Sequence, residues 1–313
     1  MLFASVMLLA LAIETVLGWP DALFDRVGHP VTWMGRAIEA CDKRFNRDGD
    51  GDLRRRLAGV GVVLGLCTAV WLGAAVVVWV MPGGWLGAAL TAVLCWPLIA
   101  ARSLYDHVRA VVLPLANNDL AGARAALSMI VGRDPERLSV AGVGRATLES
   151  LGESASDGVV APLFWGVIFG LPGLAVYKMI NTMDSMIGHL SPRHAAFGWA
   201  AARLDDLVNL IPARLTGLLF VAVSGHWRES LACMLRDAGK HRSPNAGWPE
   251  AALAGALHIR LSGPRTYDNR MSDEPWVNAA APDPQPADVA RGLEVYLKAM
   301  AALAAGLAVL ALI

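Results

Sequence analysis

A run of 24 residues without a charge, from Leu57 to Val80, constrains this chain more than any other feature of its sequence. As an α-helix the run would be about 36 Å long, which is enough to cross the hydrocarbon core of a bilayer. A second apolar run, Trp85 to Ala101, follows after a short connection, Met81 to Gly84. We therefore expect a transmembrane hairpin in this part of the chain.

Three further apolar runs are candidates for membrane segments: Val159 to Val176, Leu207 to Gly225 and Gly292 to Ile313. Pro162 and Pro172 interrupt the first run and Pro212 the second, and a proline removes a backbone donor and bends a helix. We expect bent or re-entrant segments there, with their polar ends inside the protein. The predicted fold class is all-α: a polytopic membrane helical bundle with cytoplasmic helical and loop-rich segments.

The composition favours a membrane protein over a soluble one. Hydrophobic residues make up 55% of the chain and charged residues 17%, whereas a soluble domain carries about 25% charge. The formal net charge is zero, so we expect no nucleic-acid partner. We predict a single integral membrane domain, residues 1–313, in contact with the lipid bilayer. Within it, residues 102–158 and 226–291 would be cytoplasmic insertions that contribute to the functional site.

The distribution of basic residues predicts the orientation in the membrane. Seven Lys and Arg residues lie between Arg36 and Arg56, and none lies in the connection Met81 to Gly84. Because cytoplasmic loops carry the excess of positive charge, residues 21–56 and 102–157 should be cytoplasmic. The Met81 to Gly84 connection should face the periplasm.

An acidic helix face is the first candidate site. Glu149, Glu153 and Asp157 recur every four residues, which places their side chains along one face of a helix. Carboxylates grouped in this way suit Mg²⁺ bound together with substrate phosphates. The alternative is an exposed amphipathic helix in which Arg145 pairs with Glu149, and the spacing alone favours neither.

The second candidate site lies further along the chain. Lys178, Asn181, Asp184 and Ser185 stand at helical spacings among apolar residues. This arrangement suits a bound phosphate or carboxylate with its metal ion, and the alternative is a plain solvated helix.

A third group of polar residues precedes and enters an apolar run. It consists of Arg203, Asp205, Asp206, Asn209 and Arg214. Such a group is either part of a charged site or a buried ion pair with a structural role.

Two further candidates lie at expected helix starts. The turn Ser243 to Gly247 leads into a helix, and helix N-termini bind anions, so Ser243 and Asn245 are candidate contacts. A simple helix cap is the alternative. His29 also begins a helix, although a lone histidine is usually not a ligand. Gly239-Lys240 lacks the upstream glycine of a P-loop, so a nucleotide would bind without a Walker motif.

Several blocks carry a family resemblance, in this order: His29-Pro30-Val31, Met34-Gly35-Arg36, Gly132-Arg133-Asp134, Glu149 to Phe164, Tyr177-Lys178, Asn181 to Met186, Phe197-Gly198, Ala202 to Asp206, Ile211 to Arg214, Ser243 to Gly247 and Gly263 to Tyr267. Over nearly the whole chain they resemble the adenosylcobinamide-phosphate synthase family (CobD/CbiB) of cobalamin biosynthesis. One departure is Glu153-Ser154, where the family usually has Glu-Asn.

The resemblance implies an ATP- and Mg²⁺-dependent amide ligase of the bacterial inner membrane, with its active site facing the cytoplasm. Such an enzyme would join the propionate carboxylate of adenosylcobyric acid to (R)-1-amino-2-propanol or its O-phosphate. The product would be adenosylcobinamide or its phosphate. Its partners would be this corrinoid, the amine and, in a complex, other enzymes of cobalamin assembly.

From the chemistry of such a ligation we assign, as a hypothesis, a role to each candidate residue. The metal ligands would be Glu149, Glu153, Asp157 and Asp184. The catalytic residues would be Lys178 and, as general base, Asp205 or Asp206. The phosphate and substrate contacts would be His29, Asn181, Ser185, Arg203, Asn209, Arg214, Ser243 and Asn245. We expect these residues to form one site, and two alternatives remain: a membrane transporter, and a non-catalytic membrane sensor like the AmpE proteins.

Overall fold

The computed structural model is almost entirely helical. It describes residues 2–131, 135–267, 270–272 and 274–313, and the side chains at positions 21, 265–267 and 270–272 fall outside this description. The α-helices are α1 (Leu2–Leu17), α2 (Asp21–Val27), α3 (Pro30–Phe45), α4 (Asp52–Val80), α5 (Gly84–Cys95), α6 (Ala101–Ala116), α7 (Leu120–Leu127), α8 (Val140–Ala155), α9 (Ala161–Ile187), α10 (Trp199–Val208), α11 (Leu210–Val223), α12 (Trp227–Asp237), α13 (Gly247–Leu257) and α14 (Pro286–Leu312).

The remaining elements are short. Two 3₁₀ turns span Trp96–Leu98 and Ala238–Lys240, and a π-turn spans Ser156–Val160. Strand β1 (Leu261–Ser262) pairs with β4 (Trp276–Val277), and β2 (Arg265–Tyr267) pairs with β3 (Arg270–Ser272), both antiparallel. The predicted all-α fold class is confirmed.

Among the described residues, four helical runs are long and apolar enough to cross a membrane: Asp52–Val80, Gly84–Ala116, Val140–Ile187 and Pro286–Leu312. Two bent helix pairs raise the number to six if each pair is one span. The pair Leu2–Leu17 with Ala22–Phe45 bends by 110°, and the pair Trp199–Val208 with Leu210–Val223 bends by 45°. The chain is therefore a polytopic membrane protein.

Both helices expected in this part of the chain are present, and a connection of three residues, Met81 to Gly83, joins α4 to α5. Trp79 and Trp85 flank this connection and are 83% and 82% exposed. Tryptophan side chains favour the boundary between lipid and water. The connection therefore has the aromatic anchors that are typical of a membrane surface.

The run from Val140 to Ile187 is interrupted where prolines were expected to interrupt it. Pro162 cannot donate to the carbonyl of Gly158, and its ring crowds that carbonyl; the π-turn Ser156–Val160 lies directly before it. The second interruption is at Gly170, two residues before Pro172, with φ 65° and ψ −153°. This conformation is essentially restricted to glycine.

The third expected interruption is displaced. The break between α10 and α11 falls at Asn209, and Pro212 lies in the first turn of α11. A proline in a first turn removes an N–H group that has no partner within the helix. Pro212 therefore helps to start α11, and the interruption expected from it lies three residues earlier, at Asn209, where the two helices meet with a bend of 45°.

Contacts divide the chain into two compact units. Unit 1 comprises Met1–Ala100, Ala161–Asn209 and Leu307–Ile313, and unit 2 comprises Ala101–Val160 and Leu210–Gly306. The core of unit 1 includes Ile38 on α3 and Met183 on α9, and the core of unit 2 includes Leu148 on α8 and Leu253 on α13. Unit 2 thus contains both segments that the sequence suggests as insertions, 102–158 and 226–291.

Candidate functional site

Within unit 1, two packed helices bring the second and third groups of candidate residues together. α9 carries Asn181 and Asp184, and α10 carries Asp205 and Asp206. Asp184, Asp205 and Asp206 lie close enough for their charges to interact. We call these three residues the acidic cluster.

The apolar residues of α9 explain why its polar side chains meet α10. Met179, Ile180 and Met183 are buried in the core of unit 1 together with Ala201 of α10. Because helical residues three and four apart share a face, burial of this set leaves the polar residues of α9 on the neighbouring face. The amide of Asn181 reaches the carboxylate of Asp205 from there, at 3.5 Å.

Asp205 is held in a fixed orientation by a chain of hydrogen bonds. The Tyr177 hydroxyl donates to Asn209 Oδ1 at 2.9 Å, and Asn209 Nδ2 donates to Asp205 Oδ2 at 3.0 Å. Tyr177, Asn209 and Asp205 are all buried. Buried polar networks of this kind rigidify a site, so Asp205 is positioned before any ligand arrives.

Arg203 supplies positive charge to the same cluster. Its Nη2 atom lies 2.9 Å from Asp206 Oδ2, and its guanidinium is also within electrostatic range of the Asp184 carboxylate. The His189 ring is within electrostatic range of Asp184 as well. Three carboxylates grouped beside a guanidinium offer oxygen ligands that suit a divalent cation.

Three candidate side chains of unit 1 have local contacts that limit what they can offer a ligand. The Ser185 hydroxyl donates to the carbonyl of Asn181 at 2.9 Å, so its proton is used within α9. His29 Nδ1 accepts from the amide of Val31 at 3.2 Å and caps α3. The ammonium group of Lys178 lies within electrostatic range of the His29 ring.

The acidic face of α8 lies in unit 2 and is less regular than its spacing suggests. Glu149 and Glu153 belong to α8, whereas Asp157 belongs to the π-turn, so the four-residue helical spacing ends at Glu153. Glu149 is buried, and its Oε1 atom accepts from the amide of Ser262 at 2.7 Å. Arg145 pairs with Asp283 at 2.5 Å.

Arg214 and the Ser243 turn come together in unit 2. The guanidinium of Arg214 stacks on the Trp248 ring at 4.3 Å, and Trp248 Nε1 donates to the carbonyl of Pro244 at 3.1 Å. The Ser243 hydroxyl accepts from the amides of Asn245 and Ala246 at 3.2 and 3.3 Å. The turn is therefore closed by its own side chain, and Arg214 places a cation beside it.

The start of α13 also meets the acidic face of α8. Gly152, the neighbour of Glu153, is so close to Pro249 and Glu250 that an added Cβ would lie 3.3 Å from the Glu250 amide nitrogen. Within unit 2, the carboxylate-bearing end of α8 and the turn before α13 thus lie side by side.

The two groups of candidates are described in separate units, so their convergence into one site stays a prediction. Each group has a donor set that fits Mg²⁺, because Mg²⁺ takes oxygen ligands from one or two carboxylates and substrate phosphates. The block Gly132-Arg133-Asp134 lies outside the described residues, as do the side chains of Arg265 to Tyr267.

One contributor to the site was missed at the level of the sequence. Tyr177 reaches Asp205 through Asn209, yet only its place in a resembling block was noted. The signal that identifies it is spacing: Tyr177, Asn181 and Asp184 stand four and three residues apart, on one face of a helix.

Comparison with known proteins identifies the family. The family model described as CobD/Cbib protein matches residues 7–296. This chain belongs to the CobD/CbiB family. No solved structure matches it.

Three relatives, each named "Cobalamin biosynthesis protein CobD", show how similar this chain is to members of the family. The protein of Rhodobacter capsulatus is 57% identical over 96% of this chain and 95% of its own length. That of Brucella suis is 48% identical over 88% and 86%. That of Sinorhizobium fredii is 45% identical over 98% and 96%. The resemblance drawn from the sequence blocks is confirmed.

Proposed function

We propose that this CobD/CbiB-family protein is an amide ligase of cobalamin biosynthesis in the bacterial inner membrane. It uses ATP and Mg²⁺ to join the propionate carboxylate of adenosylcobyric acid to (R)-1-amino-2-propanol or its O-phosphate. The product is adenosylcobinamide or its phosphate. The site faces the cytoplasm, where ATP is available.

The acidic cluster is the observation that carries this proposal. A carboxylate is a poor acyl donor, so amide formation at the expense of ATP requires its activation, which in this proposal occurs by phosphoryl transfer. That chemistry needs metal ligands, cations for the developing phosphate charge and a base for the amine. The cluster supplies carboxylates, an adjacent guanidinium and oriented amides within a single pair of helices.

In the first step, the carboxylate oxygen of the corrinoid attacks the γ-phosphorus of ATP, which gives an acyl phosphate and ADP. Arg203 lies beside the acidic cluster and would neutralise charge on the transferred phosphate, and Lys178 and Arg214 would do the same from their own elements. Mg²⁺, when bound, offsets phosphate charge and orients the transferred group.

In the second step, the amine nitrogen attacks the acyl carbon, phosphate leaves, and the nitrogen gives up a proton. Asp206 is the better candidate base, because both oxygens of Asp205 are approached by amide donors, which suits a fixed metal ligand. We therefore assign Asp184 and Asp205 to metal binding and Asp206 to proton transfer.

Unit 2 carries the other residues that the sequence predicts to take part in this reaction. Glu153 and Asp157 would be metal ligands. One carboxylate oxygen of Glu149 already accepts a hydrogen bond from the Ser262 amide, so Glu149 is less suited to metal binding. Asn181, Asn209, Ser243 and Asn245 would hold polar groups of the substrates.

ADP formation by the purified protein in lipid nanodiscs tests the proposal. A ligase of this kind forms ADP over many turnovers only when corrinoid and amine are both present, and then releases one amide product per ADP. ATP consumption without amide formation would indicate a transporter. The absence of any ATP consumption would indicate a non-catalytic sensor.

A further inference from the structure

Two histidines and a glutamate of unit 2 come together on the surface. His226 directly precedes α12, Glu229 lies in its first turn, and His258 directly follows α13. One ligand atom from each residue lies within 4.8 Å of the other two, and the two imidazole rings are 4.3 Å apart. We propose that these three residues bind a divalent first-row transition metal ion of the Zn²⁺ class.

The packing of α12 against α13 holds the three residues near one another. The Ser230 hydroxyl donates to the carbonyl of Ala252 at 2.7 Å. Gly255 approaches so closely that an added Cβ would lie 2.7 Å from the carbonyl oxygen of Glu229. Because α12 and α13 are held this close together, the start of α12 and the end of α13 lie side by side before any metal ion binds.

The imidazole of His258 is not needed to end α13. His258 has φ 56° and ψ 43°, the left-handed conformation that usually ends a helix with glycine or asparagine. Asparagine, aspartate and histidine are the non-glycine residues that adopt this conformation most often. Within the part of the chain that the structure describes, no hydrogen bond engages its imidazole, so the ring contributes nothing to the cap itself.

The donor set selects the class of metal. Two imidazole nitrogens and one carboxylate suit Zn²⁺, Co²⁺ or Ni²⁺, whereas Mg²⁺ and Ca²⁺ take oxygen ligands. Ligands about 2.0–2.1 Å from Zn²⁺ stand about 3.3 Å apart. The ligand atoms lie within 4.8 Å of one another, so the exposed side chains must close by at most about 1.5 Å. Three protein ligands leave the fourth position to water.

The dipole of α12 does not prevent a metal ion from binding near the start of this helix. The N-terminus of α12 disfavours a cation by about 0.3–1 kcal/mol, but it also favours the Glu229 carboxylate. Metal coordination by histidine and carboxylate is far stronger than this. A bound ion would therefore join the start of α12 to the end of α13 and stabilise unit 2 by mass action.

Metal titration of the full-length protein tests the proposal. The protein is purified with a tag free of histidine, stripped with a chelator and titrated with ZnCl₂, with bound metal and melting temperature as readouts. We expect one Zn²⁺ per chain, a higher melting temperature on binding and no competition from MgCl₂.

His258→Asn and Glu229→Gln should each weaken Zn²⁺ binding by at least ~10-fold and abolish the thermal shift. Asparagine suits the left-handed backbone, so His258→Asn should fold like the wild type, which circular dichroism checks. His107→Asn, in α6, is the matched control and should bind Zn²⁺ normally. The proposal is overturned if the wild type binds no Zn²⁺, or if His258→Asn and Glu229→Gln bind it as the wild type does.

Discussion

The proposed proton transfer is tested most directly by a substitution at Asp206. Asp206→Asn removes the base but keeps the size of the side chain, so kcat should fall by about 10²–10⁴. The ion pair with Arg203 involves a guanidinium that is 63% exposed, so its loss should barely affect stability.

Asp48→Asn is the matched control for this change, because Asp48 lies in the same unit and its side chain is 85% exposed. Amide formation per active protein is measured for both variants, together with their melting temperatures. A kcat for Asp206→Asn equal to that of Asp48→Asn would remove Asp206 from the mechanism.

A second residue-scale prediction concerns pH. Asp237 is fully buried in unit 2. Burial alone would raise its pKa, but hydrogen bonds from Arg236, Lys240 and the Asn278 amide outweigh burial and lower the pKa well below its usual range. Asp237 therefore contributes stability that is complete above its unfolded pKa of about 3.9 and is lost as the pH falls through the lower folded value.

Melting temperatures in detergent between pH 6 and pH 3 check this sign. The wild type should lose stability more steeply below about pH 4 than Asp237→Asn, whose side chain does not titrate. Parallel curves for the two proteins would contradict the assignment.

At the scale of the element, the interruption of α9 at Gly170 is a specific structural requirement. An alanine there would have to adopt φ 65°, and its Cβ would lie 3.0 Å from the Phe3 ring. We expect Gly170→Ala to destabilise the protein by about 1–3 kcal/mol.

Gly65→Ala is the control, because a Cβ at Gly65 meets nothing within 4 Å and alanine favours a helix. Thermal unfolding of both variants in detergent checks the prediction. Equal melting temperatures would show that the kink at Gly170 is not required.

The helices also show how much of the candidate site could be predicted from the sequence. The spacing of Asn181 and Asp184 placed them on one helix face, and the apolar residues between them fixed which face it was. Asp157 lies in the π-turn before Pro162, and local spacing does not reveal that the α-helical spacing ends before it. The engagement of Glu149 with Ser262, 113 residues away, depends on tertiary packing and leaves no local signal.

At the scale of the whole molecule, the orientation in the membrane remains a prediction. It rests on the basic residues between Arg36 and Arg56 and on the uncharged hairpin turn. In a variant without its native cysteines, Asp50→Cys should be protected from an impermeant thiol reagent in intact cells, and Gly83→Cys should be labelled. Labelling of Asp50→Cys from the periplasm would reverse the orientation.

The fate of one oxygen atom tests the central claim most directly. Adenosylcobyric acid labelled with ¹⁸O in its propionate carboxylate is incubated with the purified protein, ATP, Mg²⁺ and aminopropanol or its phosphate. Mass spectrometry should find the amide product and one ¹⁸O atom in the released phosphate for each amide formed. The absence of amide product, with both amines and all components present, would contradict the assignment of this protein as an amide ligase.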